Sequence, residues 1–186
     1  MVTDSLDRIP VETIRLAQRG DREAFEALLV PELDRLTRLA AAILGNEADA
    51  RDVVQETLVI AWRRSGNLRE PGKFRAWLTR ILINESRHHL RDRQRRGVRE
   101  GAAALQRQQR ETLEDAVAGH DALERAFDRL DTNQRALLVL HHLNDEPVAD
   151  IAFALEIPTG TVKSRLARAR NALGEALAKE RTDGLR

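Results

Sequence analysis

Residues 148–170 constrain the fold of this chain more than any other stretch of its sequence. An apolar run begins at Val148, a turn follows at 156–158, and apolar residues then recur at helical spacing from Val162. Two helices joined by so short a turn form a helix-turn-helix. We therefore predict this motif near the C-terminus, with Thr159 as the residue that caps its second helix.

The second helix of this motif has an apolar face and a polar face. Val162, Leu166 and Ala169 stand at i, i+4 and i+7, so they should face the core. The outer face then carries Lys163 and Arg168, whose side chains can donate to guanine edges or phosphates in a DNA major groove. A helical hairpin with a solvated basic face has the same periodicity, so the pattern alone leaves both interpretations open.

The composition favours helices throughout the chain. Charged residues make up 33% of the sequence and aromatic residues only 3%, which suits solvated helices better than strands. The absence of cysteine excludes disulfides and zinc sites built on thiolates. No apolar run approaches the roughly 20 residues that a membrane span needs. We expect an all-α protein without a cofactor, with no membrane insertion and a cytoplasmic location.

Charge divides the chain into two parts. Between Arg87 and Arg110 there are eight arginines and two acids, whereas residues 111–131 carry seven acids and two arginines. The two blocks meet within residues 97–119, which are rich in Ala, Gln, Arg and Gly and have no firm apolar stripe. We expect a flexible linker there, joining two small helical domains at residues 10–96 and 120–180, the second of them the helix-turn-helix domain.

Capping and turn residues divide these domains into helices. In the first domain, the sequence predicts helices at 11–19, 21–44 (bent or split at Pro31), 46–64 (capped by Asn46) and 74–95, with a loop at 65–73. In the second domain, it predicts helices at 120–130, 132–143, 148–155 and 159–179.

Three stretches together resemble one protein family. Residues 157–170 resemble the promoter-reading helix of the extracytoplasmic-function (ECF) sigma factors of the sigma-70 family. Residues 48–62 resemble the polymerase-binding helix of that family, with the sequence ADARDVVQETLVIAW. Residues 74–84 resemble its next, DNA-facing helix, with the sequence FRAWLTRILIN. The three motifs follow the family's order. Asp131 stands where these factors commonly have proline, and Val148 where an aromatic residue is frequent.

The resemblance implies a transcription initiation factor rather than an enzyme. Its partners would be core RNA polymerase, through the clamp of the largest subunit and the flap, and promoter DNA. An anti-sigma factor is a further candidate partner. The first domain would bind the polymerase and the minus-ten promoter element, and the second domain would bind the minus-thirty-five element.

The resemblance also implies three sets of site residues. The polymerase-binding set lies off the apolar stripe of the 48–62 helix: Asp49, Asp52, Gln55, Glu56 and Val59. The minus-ten set comprises Arg69, Lys73, Asn84, Arg87, His88 and Arg91, with the 69–73 loop expected to hold a flipped base. The minus-thirty-five set comprises Thr161, Lys163, Ser164, Arg165, Ala167, Arg168 and Asn171. Trp62 and Trp77 could stack on bases, but their spacing favours core packing.

Two other functions share part of this pattern. An ordinary helix-turn-helix regulator would have the same C-terminal motif, and it would bind its operator without polymerase. A di-iron helical bundle would use the Glu-x-x-His spacing of Glu85 and His88. That site needs a second copy, and no other histidine follows an acid at this spacing.

Overall fold

The computed structural model describes the backbone of residues 11–100 and 118–183, which we call the N-terminal half and the C-terminal half. Both halves are helical, and no strand occurs in either range, so the predicted all-α class is confirmed. The helices are α1 (Val11–Gln18), α2 (Arg22–Leu29), α3 (Leu33–Leu44), α4 (Glu47–Arg64), α5 (Phe74–Glu100), α6 (Ala118–Asp128), α7 (Thr132–His142), α8 (Val148–Leu155) and α9 (Thr159–Asp183). None of these helices is long and apolar enough to cross a membrane.

Local signals fix most of the helix ends. The predicted 21–44 helix is split by the 3-10 turn Val30–Glu32, which contains Pro31. Gly45 ends α3 with a φ of 68°, a left-handed conformation that favours glycine. Asn46 caps α4, where its Oδ1 accepts the Asp49 N–H at 2.9 Å.

Two caps in the C-terminal half concern residues singled out from the sequence. Asp131 forms a capping box at the start of α7: its side chain accepts the Gln134 N–H at 2.9 Å, and the Gln134 side chain accepts the Asp131 N–H at 3.0 Å. The predicted cap at Thr159 is wrong. Thr159 is already the first residue of α9, and the carbonyl of Pro158 accepts the N–H of Val162 at 3.1 Å.

The described helices reach into both ends of the predicted linker. Helix α5 continues to Glu100, five residues beyond its predicted end, so the backbone of residues 97–100 is helical. Helix α6 begins at Ala118. Residues 101–117, the rest of the predicted linker, lie outside the described residues.

The two halves pack against each other around one shared apolar core. Helix α3 contacts α7, and α5 contacts α8. The core takes Leu39, Ile43 and Leu82 from the N-terminal half together with Leu140 and Ile151 from the C-terminal half, and all five are fully buried. Full burial of one such side chain contributes roughly 1.5–3 kcal/mol. Apolar contact is therefore the main force that holds the halves together.

A buried cation connects three parts of the chain at this junction. Arg35 on α3 is 9% exposed. Its Nε donates to Glu32 at 2.7 Å, and its Nη1 donates to Thr79 on α5 at 3.0 Å and to Glu146 in the C-terminal half at 2.6 Å. Arg75 donates to the other Glu32 oxygen at 2.6 Å. The guanidinium thus fixes the α7–α8 turn against α3 and α5.

Burial raises the pKa of Glu146 to about 7, although the positive charge of Arg35 opposes this shift. Asp150 adds to the increase, while Thr79 and Arg75 act against it. Among the described residues, the second carboxyl oxygen of Glu146 is buried without a hydrogen-bond partner. Desolvation therefore favours the protonated carboxyl at the junction.

The stability of the fold should consequently depend on the protonation of Glu146. The ordinary pKa of this group is 4.5, so between pH 4.5 and about 7 the folded chain holds a proton that the unfolded chain has released. The contribution of this bound proton to the free energy of unfolding is present in full below pH 4.5, and it is lost as the pH rises through 7.

We predict that Glu146→Gln removes this pH dependence, because glutamine resembles the protonated carboxyl. Between pH 5 and pH 8, the free energy of urea unfolding should fall by roughly 1–3 kcal/mol more in the wild type than in the variant. Asp145→Asn, at the exposed neighbouring acid, should follow the wild type. Parallel curves for wild type and Glu146→Gln would contradict this assignment.

Candidate promoter and polymerase interfaces

The outer face of α9 is open to solvent. Val162, Leu166 and Ala169 are at most 3% exposed, so they hold one side of the helix in the core. Five members of the minus-thirty-five set are exposed on the other side, namely Lys163, Ser164, Ala167, Arg168 and Asn171, while Thr161 and Arg165 are half-buried. The helix-turn-helix prediction is confirmed, and this face has the shape and charge to enter a major groove.

The turn between α8 and α9 is built by a left-handed residue. Glu156 has a φ of 55°, and its N–H donates a hydrogen bond to the carbonyl of Phe153 at 3.3 Å. The next residue, Ile157, donates to the carbonyl of Ala152 at 3.1 Å. These bonds close α8 and redirect the chain within three residues. The short turn therefore sets the angle at which α9 is presented.

A cavity of about 440 Å³ lies beside the loop before α5. Arg69 from the loop and Trp77 and Asn84 from α5 line it, so the structure brings two members of the minus-ten set together. Trp77 is half-buried: it packs against Phe74, with ring centroids 6.1 Å apart, and its remaining surface faces the cavity. Aromatic, amide and cationic groups around one cavity can stack on a base, bond its edge and hold a phosphate.

The remaining members of the minus-ten set differ in accessibility. His88 and Arg91 are exposed, and His88 Nδ1 lies 3.2 Å from Asp92. Lys73 donates to Asp150 at 2.6 Å, and Arg87 donates to Asn133 at 2.8 Å. Burial, followed by the nearby positive charges of Arg165 and Arg91, lowers the pKa of the Arg87 guanidinium. The C-terminal half thus engages two cations of the set.

The polymerase-binding set is exposed on α4 with one exception. Asp52, Gln55, Glu56 and Val59 lie on the solvent side of the helix. Asp49 instead accepts from Arg93 Nη1 at 2.9 Å and lies 3.2 Å from His89 Nε2, both on α5. Its side chain is 24% exposed. The structure therefore gives Asp49 a role in joining α4 to α5.

The two tryptophans pack on the core with only part of their surface. Trp62 is 37% exposed and meets the ring of Phe25 edge to face, with centroids 5.0 Å apart. Its exposed side adjoins the α4 face that carries Val59. An apolar centre beside carboxylates is typical of protein interfaces.

Several residues that line the cavity were missed from the sequence, among them Arg80 and Phe153. Arg80 lines it and stands four residues before Asn84, on the same face of α5, so helical spacing could have identified it. Phe153 lines it from α8, 69 residues farther along the chain, and no local pattern indicates this contact.

The described residues contain no group of three or more His, Asp or Glu side chains arranged to hold a metal ion. Glu85 lines the cavity, and His88 pairs with Asp92. The two residues with the Glu-x-x-His spacing, Glu85 and His88, therefore have other neighbours in this part of the chain.

Comparison with known proteins identifies both halves. Residues 28–96 match Sigma-70 region 2, and residues 120–173 match Sigma-70 region 4. The RNA polymerase sigma-H factor of Pseudomonas aeruginosa is 30% identical over 191 residues, which cover 95% of this chain and 96% of that protein. The ECF RNA polymerase sigma factor SigM of Mycobacterium tuberculosis is 33% identical over 176 residues, covering 92% of this chain and 86% of the relative.

Solved structures give the same assignment. CnrH, in complex with the cytosolic domain of CnrY, has a TM-score of 0.67 and 28% identity, covering 91% of this chain and 97% of CnrH. The sigma factor RpoE from Bartonella quintana, in complex with the anti-sigma factor NepR, has a TM-score of 0.67 and 27% identity, covering 84% of this chain and 98% of RpoE. The chain belongs to the sigma-70 family of RNA polymerase sigma factors, in its extracytoplasmic-function subfamily.

Proposed function

We propose that this protein binds core RNA polymerase and directs transcription initiation at promoters that carry its minus-ten and minus-thirty-five elements. The observation that carries this proposal is the presence, in one chain, of a region 2 match at 28–96 and a region 4 match at 120–173 whose outer α9 face is basic and exposed. A regulator that acts without polymerase has no need of the region 2 unit at residues 28–96.

The work is divided between the two units. Residues 10–96 bind the polymerase clamp through the outer face of α4 and read the minus-ten element at the cavity beside α5. Residues 120–180 read the minus-thirty-five element through α9 and contact the flap. Residues 97–119 link the two units. An anti-sigma factor is a further partner, because the similar chains CnrH and RpoE occur in complexes with CnrY and with the anti-sigma factor NepR.

This function consists of binding. The protein acts in the cytoplasm, where polymerase and promoter DNA are present, and it needs neither a cofactor nor a catalytic residue of its own. The phosphodiester chemistry belongs to the polymerase. Specificity comes from hydrogen bonds to base edges, and position along the DNA comes from contacts to phosphates.

The first test addresses the α4 face. We predict that Asp52→Arg combined with Glu56→Arg abolishes capture of core polymerase in a pull-down, because like charges at an interface cost several kcal/mol. Helix content, measured by circular dichroism, should stay unchanged, since both side chains are exposed.

A matched control reverses two exposed acids on other helices, Glu26→Arg and Glu175→Arg, and it should capture polymerase normally. Capture of core polymerase at the wild-type level by the Asp52/Glu56 variant would refute the proposed interface. Operator binding by the free wild-type chain, with no capture of polymerase, would favour the regulator instead.

The second test addresses α9. We predict that Arg168→Ala weakens promoter binding by the holoenzyme without unfolding the protein. A lost guanine contact should cost roughly 1–3 kcal/mol at one base position, whereas a lost phosphate contact should weaken all sequences equally and reduce the salt slope by about one.

A panel of promoter variants, measured at several salt concentrations, separates these two outcomes. Lys179→Ala is a suitable control, because Lys179 is an exposed cation on the same helix about three turns away. If Arg168→Ala leaves affinity, base preference and salt slope unchanged, α9 does not read DNA through this face.

A further inference from the structure

The loop between α4 and α5 forms one wall of the cavity beside α5. Four consecutive residues of this loop line it: Asn67, Leu68, Arg69 and Glu70. Arg69 and Glu70 are exposed and belong to no helix, so their side chains are placed only as firmly as the loop backbone is held. That this cavity reads the minus-ten element rests on the function proposed above. The contacts that fix the loop backbone then decide how Arg69 meets a base.

A side chain of α1 donates to the backbone of this loop. Gln18 Nε2 lies 2.6 Å from the carbonyl oxygen of Leu68 and 3.4 Å from that of Ser65. Both neighbours are acceptors, so the amide nitrogen and not the amide oxygen must face them. The shorter of the two bonds is the stronger. Gln18 therefore binds the loop chiefly at Leu68, 50 positions farther along the chain.

The bond to Leu68 orients one peptide group of the loop. The carbonyl of Leu68 and the N–H of Arg69 belong to the same planar unit, so fixing the first also fixes the second. Leu68 has a φ of −73° and a ψ of 101°, an extended conformation, and rotation about ψ is what the bond restrains. The direction in which the chain enters Arg69 therefore depends on Gln18.

Other contacts hold the loop before and after this peptide group. The Leu68 side chain is 5% exposed, and the Leu68 N–H donates to the Ser65 carbonyl at 3.2 Å. Farther along, the Lys73 N–H donates to the Glu70 carbonyl at 2.9 Å. The Gln18 bond acts on the peptide group between these contacts.

Helix α1 gives this donor a firm support. Ile14, which lies one turn before Gln18 on the same face, and Ala17 are each 2% exposed and belong to the apolar core. The helix contacts α2 and both 3-10 turns of the loop, Ser65–Asn67 and Pro71–Lys73. The backbone beneath Gln18 therefore cannot shift without disturbing the core.

Gln18 lies behind the loop and away from the cavity. Among the described residues that line the cavity, none belongs to α1. Helix α1 also precedes residues 28–96, the range that matches Sigma-70 region 2. Any effect of Gln18 on DNA must therefore pass through the loop.

We propose that Gln18 is a positioning residue for recognition of the minus-ten element. It holds the peptide group between Leu68 and Arg69 in the orientation that presents Arg69 to the cavity. Without this donor the loop samples further orientations, and only molecules in the original one can bind the favoured base. Disfavoured bases make fewer contacts with the loop and lose less. The preference for one base therefore falls, while the rest of the promoter is read as before.

The test uses three variants of the full chain. Gln18→Met keeps the length of the side chain and removes the donor. Gln18→Lys restores a donor, because an ammonium group can bond to the same carbonyls. The matched control, Arg15→Met, places the same methionine one turn earlier on α1, where Arg15 forms an exposed ion pair with Glu12 that contributes little to stability.

The first measurement needs no DNA. Hydrogen exchange of the backbone N–H groups in residues 66–73 reports how often the loop opens. In Gln18→Met we expect this exchange to be roughly fivefold faster than in the wild type, as for the loss of one hydrogen bond. In Gln18→Lys and Arg15→Met it should stay close to the wild-type rate.

The second measurement is base preference. Holoenzyme formed with each variant selects from a pool of promoter DNA that is randomised in both elements, and sequencing of the bound fraction gives the preference at each position. Gln18→Met should lower the preference at one minus-ten position by roughly fivefold and leave the minus-thirty-five element unchanged. Gln18→Lys should restore that preference. A residue that only stabilised the fold would affect both elements alike.

Unchanged loop exchange or an unchanged minus-ten preference in Gln18→Met would overturn the proposal, and so would an equal loss at both elements. If circular dichroism shows lost helix in this variant, Gln18→Glu, whose carboxylate cannot donate, takes its place. Selection at both elements by the wild-type holoenzyme would still support the sigma function in each of these cases. A wild-type chain that selects no DNA with polymerase, although Gln18→Met speeds loop exchange, would instead refute the function proposed above.

Discussion

The arrangement of this protein depends on one buried guanidinium. Arg35 bonds to Glu32 on its own side, to Thr79 on α5 and to Glu146 in the C-terminal half, and little of it reaches solvent. A buried ion pair is weak evidence for stability, because desolvation offsets most of the attraction. Removing one partner is costly, however, since the remaining charge is buried alone. Arg35 therefore specifies how the halves fit, while the apolar core supplies the attraction.

This division between attraction and geometry explains why charged contacts surround the junction. The shared core joins Leu39 and Ile43 to Leu140 and Ile151, and such contacts have little directional preference. Polar contacts of Lys73, Arg80 and Arg87 with the C-terminal half add direction at the edge of this core.

Much of the fold follows from local sequence, whereas the junction does not. Pro31, Gly45 and Asn46 act within one turn of helix, so their effects could be predicted. The bond between Arg35 and Glu146 joins residues 111 positions apart, and nothing in the neighbourhood of either residue indicates it. Likewise, nothing in the sequence near Phe153 indicates that its side chain lines the cavity beside α5. Helical spacing could place side chains on faces, but it could not show which faces meet.

Asp49 illustrates the same limit at the polymerase side and shows how the two functional faces are connected. Spacing placed it with Asp52 and Glu56 off the apolar stripe of α4, but its carboxylate bonds to Arg93 and lies beside His89 on α5. This contact lies at the start of α4, far from the cavity end of α5. Because α4 and α5 are also packed along a buried seam that includes Val53, they form one unit, with the residues proposed to bind polymerase on α4 and those proposed to bind DNA on α5. We therefore expect Asp49 to affect polymerase binding through the position of α4, so that a change there should disturb both proposed faces, unlike a change at the exposed Asp52.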